Sequence, residues 1–418
     1  MPFQGAWVSM SHFKDRLDLF KIKAFRYYII SCVLSMFGNG LTYVAMTWLL
    51  VKNNHQVAGI AVLMTCFWVP NIVFGPFAGV LVDKYSRKHL LLFCNASRAV
   101  ILTLFWFMYP SEPPVYAIYG LALLTGSVLS LYIPAAMTLV REVVDKKTLL
   151  YANATVDMAY ELGAVAGMGA SGLIMAATSI HMTFLINAFC YLVATISLLW
   201  VTIHNSCQKP RLDKSMLKDL ATGFRYIIKQ PELLFIYGIQ MLFFVSFMTA
   251  PILLAPYAQK ILHADAGQFG YIEAAMSAGG VLGGLFTPYV CEKFGFMRVM
   301  LFETILCGIS FYGFSHNLYL AHAIMWYFFI GLCFSAWPML ITAAQEKTEF
   351  AFQGRIQALF NSISGVFILV FYLLLGFAGD FLAINQLYWI EVVLMVCSII
   401  LLLHFKYTMN LSTKNKRQ

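Results

Sequence analysis

From residue 24 to residue 405 the chain repeats one pattern, an apolar stretch of about twenty residues followed by a short polar break. A helix crossing the hydrocarbon core of a bilayer needs about 20 mostly apolar residues, because it rises about 1.5 Å per residue. Such runs fall at 24–51, 57–82, 89–109, 116–140, 150–176, 181–203, 233–258, 267–291, 299–315, 318–343, 356–379 and 384–405. The breaks at 178–181 and 315–317 are short, but merging their neighbours would make helices far longer than a bilayer needs. The pattern predicts an all-α membrane protein with twelve transmembrane helices.

The longest stretch outside these runs, 204–232, divides the chain in two. The expected organisation is a six-helix N-terminal bundle over 1–203, a cytoplasmic linker over 204–232, and a six-helix C-terminal bundle with a basic tail over 233–418. Within the linker Leu217, Leu220, Phe224 and Ile227 share one helical face, which predicts a helix lying on the membrane surface. Phe13, Leu17, Phe20 and Ala24 predict a second such helix near the N-terminus. That region has no short apolar core followed by a small-residue cleavage site, so a removable signal peptide is not expected.

Composition agrees with lipid as the solvent: 61% of residues are hydrophobic and 11% charged, against roughly 25% charged in ordinary soluble domains. The net charge of +9 raises the question of nucleic acid, but its placement answers otherwise. When termini and alternate loops are assigned to one side, that side holds all but three of the 28 Lys and Arg residues. Lys52 and Lys260 fall on the other side and Arg98 within a span. Positive residues stay cytoplasmic, so the chain is expected in the cytoplasmic (inner) membrane with both termini on the cytoplasmic side, and no nucleic-acid partner is needed.

Nine cysteines are scattered singly without a C-x-x-C pair, which points to neither a disulfide framework nor a metal site. No G-x-x-x-x-G-K-[ST] phosphate loop occurs, and neither H-E-x-x-H nor G-x-S-x-G is present. ATP-driven transport and membrane-enzyme chemistry are thus unsupported, and no cofactor is implied.

One loop concentrates charge: "GVLVDKYSRKHLL" at the exit of the second run, with Gly79, Asp83, Arg87 and Lys88. A carboxylate at a helix C-terminus is unfavourable without a partner. "CEKFGFMRVM" at the exit of the eighth run echoes it, aligning Asp83 with Glu292, Lys84 with Lys293 and Tyr85 with Phe294. The first loop resembles the major facilitator signature G-x-L-x-D-R-x-G-R-K-x-x-L, with Lys84 for its first Arg and Ser86 for its second Gly. The resemblance implies two six-helix pseudo-repeats around a central cavity. It also implies that Asp83 latches the halves on the cytoplasmic side, against a helix beginning near Gly354 and Arg355. The competing reading is a solvated, topology-setting loop.

"LSMFGNGLTYVAMTWLL", "VPNIVFGPFAGVL", "YIPAAMTLVREVVDKKTLLYANA" and "LATGFRYIIKQPELL" extend the resemblance to the branch containing macrolide efflux proteins and the enterobactin exporter. Two departures stand out. The fifth span reads "GAVAGMGASG", keeping Gly163, Gly167 and Gly172 but placing Met168 where drug/proton antiporters of the family carry proline. Asn39 stands where many relatives have an acid, and an amide cannot carry a proton there. Both departures leave the direction of transport open.

An ionisable group at mid-bilayer costs roughly 2.5–3.5 kcal/mol on insertion scales, so each one invites an explanation. Arg98 lies about ten residues into the third span, where a structural ion pair is the expected role. Asp157 and Glu161, four apart in the fifth span, share a helix face and are candidates for binding a proton or substrate. Their alternative is fixed pairing with Arg98 or Arg141. Glu273, one to two turns into the eighth span, is a third candidate. Glu303 and Glu391 lie nearer span ends and are read as ordinary. Tyr43, Trp68, Tyr132, Phe244 and Trp337 fall in spans that line the cavity in the resembled family, and such walls suit an amphipathic cargo. Packing alone also explains each of them.

The expected function is secondary active transport of an amphipathic organic small molecule, drug-like or siderophore-like, by alternating access with protons, in the direction of export. The partners are then substrate, protons and the lipid bilayer, with the chain as a monomer. Import of a nutrient or iron chelate, and a non-transporting membrane sensor, are the alternatives.

Overall fold

The computed structural model describes residues 18–52, 57–110, 112–145, 148–203, 224–348 and 350–415. Those residues form helices and connecting turns, with no strand among them. In chain order the helices are α1 (Lys23–Lys52), α2 (Val57–Lys84), α3 (Arg87–Met108), α4 (Val115–Val143), α5 (Leu149–Ala177) and α6 (Ile180–Leu199). They continue with α7 (Pro231–Lys260), α8 (Ala266–Phe294), α9 (Phe296–Ser315), α10 (Leu320–Cys333), α11 (Ala336–Lys347) and α12 (Phe350–Ala378). The four-residue α13 (Ile384–Leu387) and α14 (Trp389–Asn415) close the series.

Eleven stretches are long and apolar enough to cross a membrane. The remaining expected span, the eleventh, lies in α12, whose apolar part, Ile363–Ala378, is shorter than the others. The tenth expected span is continuous in hydropathy but broken in geometry. α10 stops at Cys333 and α11 begins at Ala336. At the break the Phe334 amide donates to Ile330 and Gly331, and the Ser335 amide donates to the Leu332 carbonyl. The bonds to Gly331 and Leu332 span three residues and tighten the turn, a feature that in mid-helix often marks a bending point.

The described residues divide into two compact units. The first lies within Gly5–Arg211 together with Asp265–Ala274, the opening of α8. The second lies within Leu212–Ala264 and Ala275–Gln418. The expected linker helix is seen only in part: residues 224–228 are helical and Ile227 packs on Ile356 and Leu359 of α12. Leu217 and Leu220, and on the N-terminal side Phe13 and Leu17, lie outside the described residues.

In the first unit α1 is the central helix. Tyr28 donates to the Ala136 carbonyl of α4 at 2.6 Å, and Ser35 donates to Asn95 of α3 at 2.9 Å. The Asn187 amide of α6 donates to the Gly38 carbonyl at 2.7 Å. Buried polar side chains thus lock α1 to three neighbours, as groups without access to water require. Gly167 of α5 lies so close to α1 that an added Cβ would sit 2.1 Å from the Phe37 carbonyl oxygen. Close packing by the glycines of "GAVAGMGASG" is therefore realised without the proline.

In the second unit α7, α9, α10 and α14 share an aromatic core. The Tyr257 hydroxyl lies 2.6 Å from the Asn317 carbonyl oxygen, and the Tyr327 and Tyr388 hydroxyls meet at 2.8 Å.

Candidate functional site

The two echoing loops end α2 and α8 alike. Each is a turn of one or two residues before the next helix. Lys84 lies over the Tyr85 ring at 5.6 Å, and Lys293 over the Phe294 ring at 5.5 Å. Their next residues differ in backbone. Ser86 is extended, whereas Gly295 has φ 88°, a region glycine adopts without the steric cost of a Cβ.

Gly79, Asp83 and Arg355 fall in α2 and α12, but their side chains lie outside what the structure describes. Glu292 is exposed. The two cations of the first loop have partners within their own unit. Arg87 pairs with Glu142 of α4 at 2.7 Å, the two side chains being 13% and 6% exposed. Lys88 donates to the Leu199 carbonyl at 3.0 Å and the Val201 carbonyl at 2.8 Å, where the end of α6 leaves backbone acceptors free. Glu142 was invisible as a partner in sequence, since 55 residues separate it from Arg87. A surface cleft of about 510 Å³ opens beside Lys88, lined by Lys23 and Leu199–Ile203.

Arg98 is 1% exposed and sits between two rings. Its guanidinium carbon lies 4.8 Å from the Tyr132 centroid and 5.3 Å from that of Tyr191. Among the described residues its guanidinium nitrogens make no hydrogen bond of normal geometry and no ion pair. These two ring contacts are favourable in themselves, because aromatic faces attract a desolvated cation. Asp157, its candidate partner, has a side chain outside the described residues. Glu161 is exposed, Asn39 is half-buried, and Glu273 is buried in the first unit.

Of the expected cavity aromatics, Phe244 and Trp337 come together. Their rings stack at 4.9 Å and 23°, and Phe360 packs beside both at 6.1 and 6.0 Å. Tyr132 belongs to the Arg98 cluster, while Tyr43 and Trp68 are half-buried in α1 and α2.

Two carboxyls that sequence position made look ordinary are the most enclosed among the described residues of the second unit. Glu391, 0% exposed, approaches Ser246 and Thr249 of α7, the latter at 2.6 Å. Glu303, 3% exposed, approaches Thr287 of α8 at 2.5 Å, with Ser335 of the α10–α11 break beside it. A hydroxyl-bearing residue at the matching depth of a neighbouring span was the only available signal, and depth alone does not say which helices face each other.

Among the described residues no group of three or more His, Cys, Asp or Glu side chains is placed to hold a metal ion.

Comparison with known proteins places this architecture. Residues 28–253 and 236–418 both match the family model of the Major Facilitator Superfamily. The staphyloferrin A transporter of Staphylococcus aureus is 23% identical over 296 residues, 70% of this chain and 74% of that protein. The enterobactin exporter EntS of Escherichia coli O1:K1 / APEC is 24% identical over 343 residues, 81% of each chain. The multidrug efflux pump Tap of Mycolicibacterium fortuitum is 23% identical over 288 residues, 65% of this chain and 68% of that protein. In fold, the crystal structure of the nucleoside transporter NupG superposes with a TM-score of 0.68 over 92% of this chain and 99% of that one, at 15% identity. With a family match covering both halves and a fold shared along nearly its whole length, the chain belongs to the Major Facilitator Superfamily and is a multi-pass membrane transporter.

Proposed function

We propose that the chain is a secondary active transporter that exports an amphipathic organic small molecule, drug-like or siderophore-like, in exchange for protons. The stacked Phe244–Trp337 pair with Phe360 carries this reading of the cargo: three large rings in one patch suit a partly apolar, partly ringed molecule. The relatives named for staphyloferrin A, enterobactin and multidrug efflux point to the same chemical class. Protons are the proposed coupling ion because carboxyls stand within the spans at Asp157, Glu161 and Glu273. Each proton entering down the membrane potential contributes about 2.3 kcal/mol per 100 mV. The placement of Lys and Arg supports both termini on the cytoplasmic side.

The proposed gating residues are Gly79 and Asp83 of the first loop, with Glu292 in the second repeat and Arg355 in α12. Arg87 and Lys88 anchor that loop within the first unit, which leaves Asp83 as its switching group.

Import is the second reading, favoured by Met168 where antiporters of the family carry proline. A comparative profile of small molecules inside and outside cells, with and without the gene, separates the two. Accumulation inside the deletion strain is expected for export. Depletion inside it would overturn that direction.

A further inference from the structure

Glu303, Thr287 and Ser335 hold too few hydrogens for their contacts if the carboxyl is charged. Three oxygen–oxygen approaches link them in series: Glu303 Oε1 to Thr287 Oγ1 at 2.5 Å, Thr287 Oγ1 to Ser335 Oγ at 2.8 Å, and Ser335 Oγ to the Leu332 carbonyl at 2.7 Å. Each approach needs one hydrogen between its oxygens, and the two hydroxyls supply one apiece. The Leu332 carbonyl only accepts, so the Ser335 hydrogen is committed to it. Ser335 then accepts from Thr287, which uses the Thr287 hydrogen. The 2.5 Å approach is closed only when the Glu303 carboxyl donates to Thr287 Oγ1. Ser335 is also 3.4 Å from Glu303 Oε1, too long to compete with the shorter contacts.

A second observation agrees. Glu303 Oε2 is buried and meets no hydrogen-bond partner among the described residues. An oxygen sharing a full negative charge in that position bears a heavy desolvation cost, whereas the carbonyl oxygen of a neutral acid bears far less. No Lys, Arg or His among the described residues forms an ion pair with it. The titratable groups nearest it are Cys291 on α8 and Cys307 on α9, and Cys307 is in turn close to Cys333 on α10 and Glu391 on α14. None of these supplies a positive charge.

We propose that Glu303, Thr287 and Ser335 form a proton-binding site in the second unit, with the proton on the Glu303 carboxyl and a hydroxyl chain ending on the Leu332 carbonyl. The site deepens the reading of proton-coupled transport, and its occupancy can be measured without any cargo. Its far end is the break between α10 and α11, where Leu332 accepts from both the amide and the hydroxyl of Ser335. Release of the proton leaves Glu303 Oε1 as an acceptor only. Thr287 then turns its hydrogen from Ser335 to Glu303, and the chain parts at the Thr287–Ser335 link. Binding or release at Glu303 is thereby communicated to the bend in the tenth span. Gly283 crowds the same point, since an added Cβ would lie 2.4 Å from the Leu332 carbonyl oxygen and 2.7 Å from Ser335 Oγ.

The test is infrared difference spectroscopy on the full-length protein in lipid nanodiscs, following the carbonyl stretch of protonated carboxyls at neutral pH in sodium-free buffer. Wild type is expected to show a band that Glu303→Gln removes and Glu391→Gln leaves in place. Thr287→Val, which keeps the shape and removes the hydroxyl, is expected to shift that band without abolishing it. Spectra of wild type and Glu303→Gln that coincide would overturn the proposal, as would a band that Thr287→Val leaves unmoved. A band displaced by sodium at constant pH would reassign the site to a metal cation and equally overturn it. Because no cargo enters the measurement, failure of proton-driven transport in vesicles would count against coupling alone, and a missing band against this site alone.

Discussion

Arg87 at the start of α3 and Glu142 at the end of α4 form an ion pair that is nearly closed to water. Arg87 is therefore a structural fastener of its own unit, and the proposed gating role of the loop rests on Asp83 instead.

Breaking that pair leaves the other charge buried alone. Removing one partner of a buried ion pair typically costs about 3–5 kcal/mol. Glu142→Gln and Arg87→Met are each expected to lower the thermal unfolding midpoint of the purified protein clearly, and the double variant to recover part of the loss. A simple sum of the single effects would show that the two do not interact.

Lys88 acts more locally. Its ammonium supplies donors and charge to the carbonyls of Leu199 and Val201 at the end of α6. Lys88→Met is expected to cost only about 1 kcal/mol overall. Amide hydrogen exchange around 199–203 should accelerate several-fold while the rest of the first unit stays protected.

Arg98 and its rings offer a double-mutant cycle. Tyr191→Leu removes one face of the cation–π cage. In the wild-type background its cost should exceed that in an Arg98→Met background by about 1–2 kcal/mol, the worth of a desolvated cation–π contact. Equal costs in both backgrounds would mean that Tyr191 contributes through packing alone.

The Phe244–Trp337 stack is expected to bind cargo. Trp337→Ala should raise the apparent Kd for the transported molecule roughly tenfold, since about 1.4 kcal/mol corresponds to a factor of ten. The natural molecule identified by profiling serves as probe, and binding is measured by quenching of the remaining tryptophans.

The helical architecture was readable because lipid imposes one rule on every span. A backbone without water must be helical and about 20 residues long. The repeat was readable too, and the matched stacking of Lys84 on Tyr85 and Lys293 on Phe294 extends the echo from letters to contacts. Hydropathy could not reveal the break at Phe334 and Ser335, because "IGLCFSAWPML" stays apolar across it. Nor could it show that Glu303 meets Thr287 and Ser335, or that Arg87 meets Glu142. Those meetings depend on which helix faces pack together, and periodicity says nothing about a neighbour's identity. Asp83, the residue the motif singles out most clearly, keeps its role as a proposal for the same reason.

The break in the tenth span also has a mechanical meaning. The twelve residues of α11 form a rigid rod, about 18 Å long at 1.5 Å per residue, so a tilt of about 10° at its upper end swings the lower end by about 3 Å. At that lower end Lys347 is fastened to Glu232 at the start of α7. A small change in the turn at Ser335 would thus reach the foot of the seventh span, magnified by leverage.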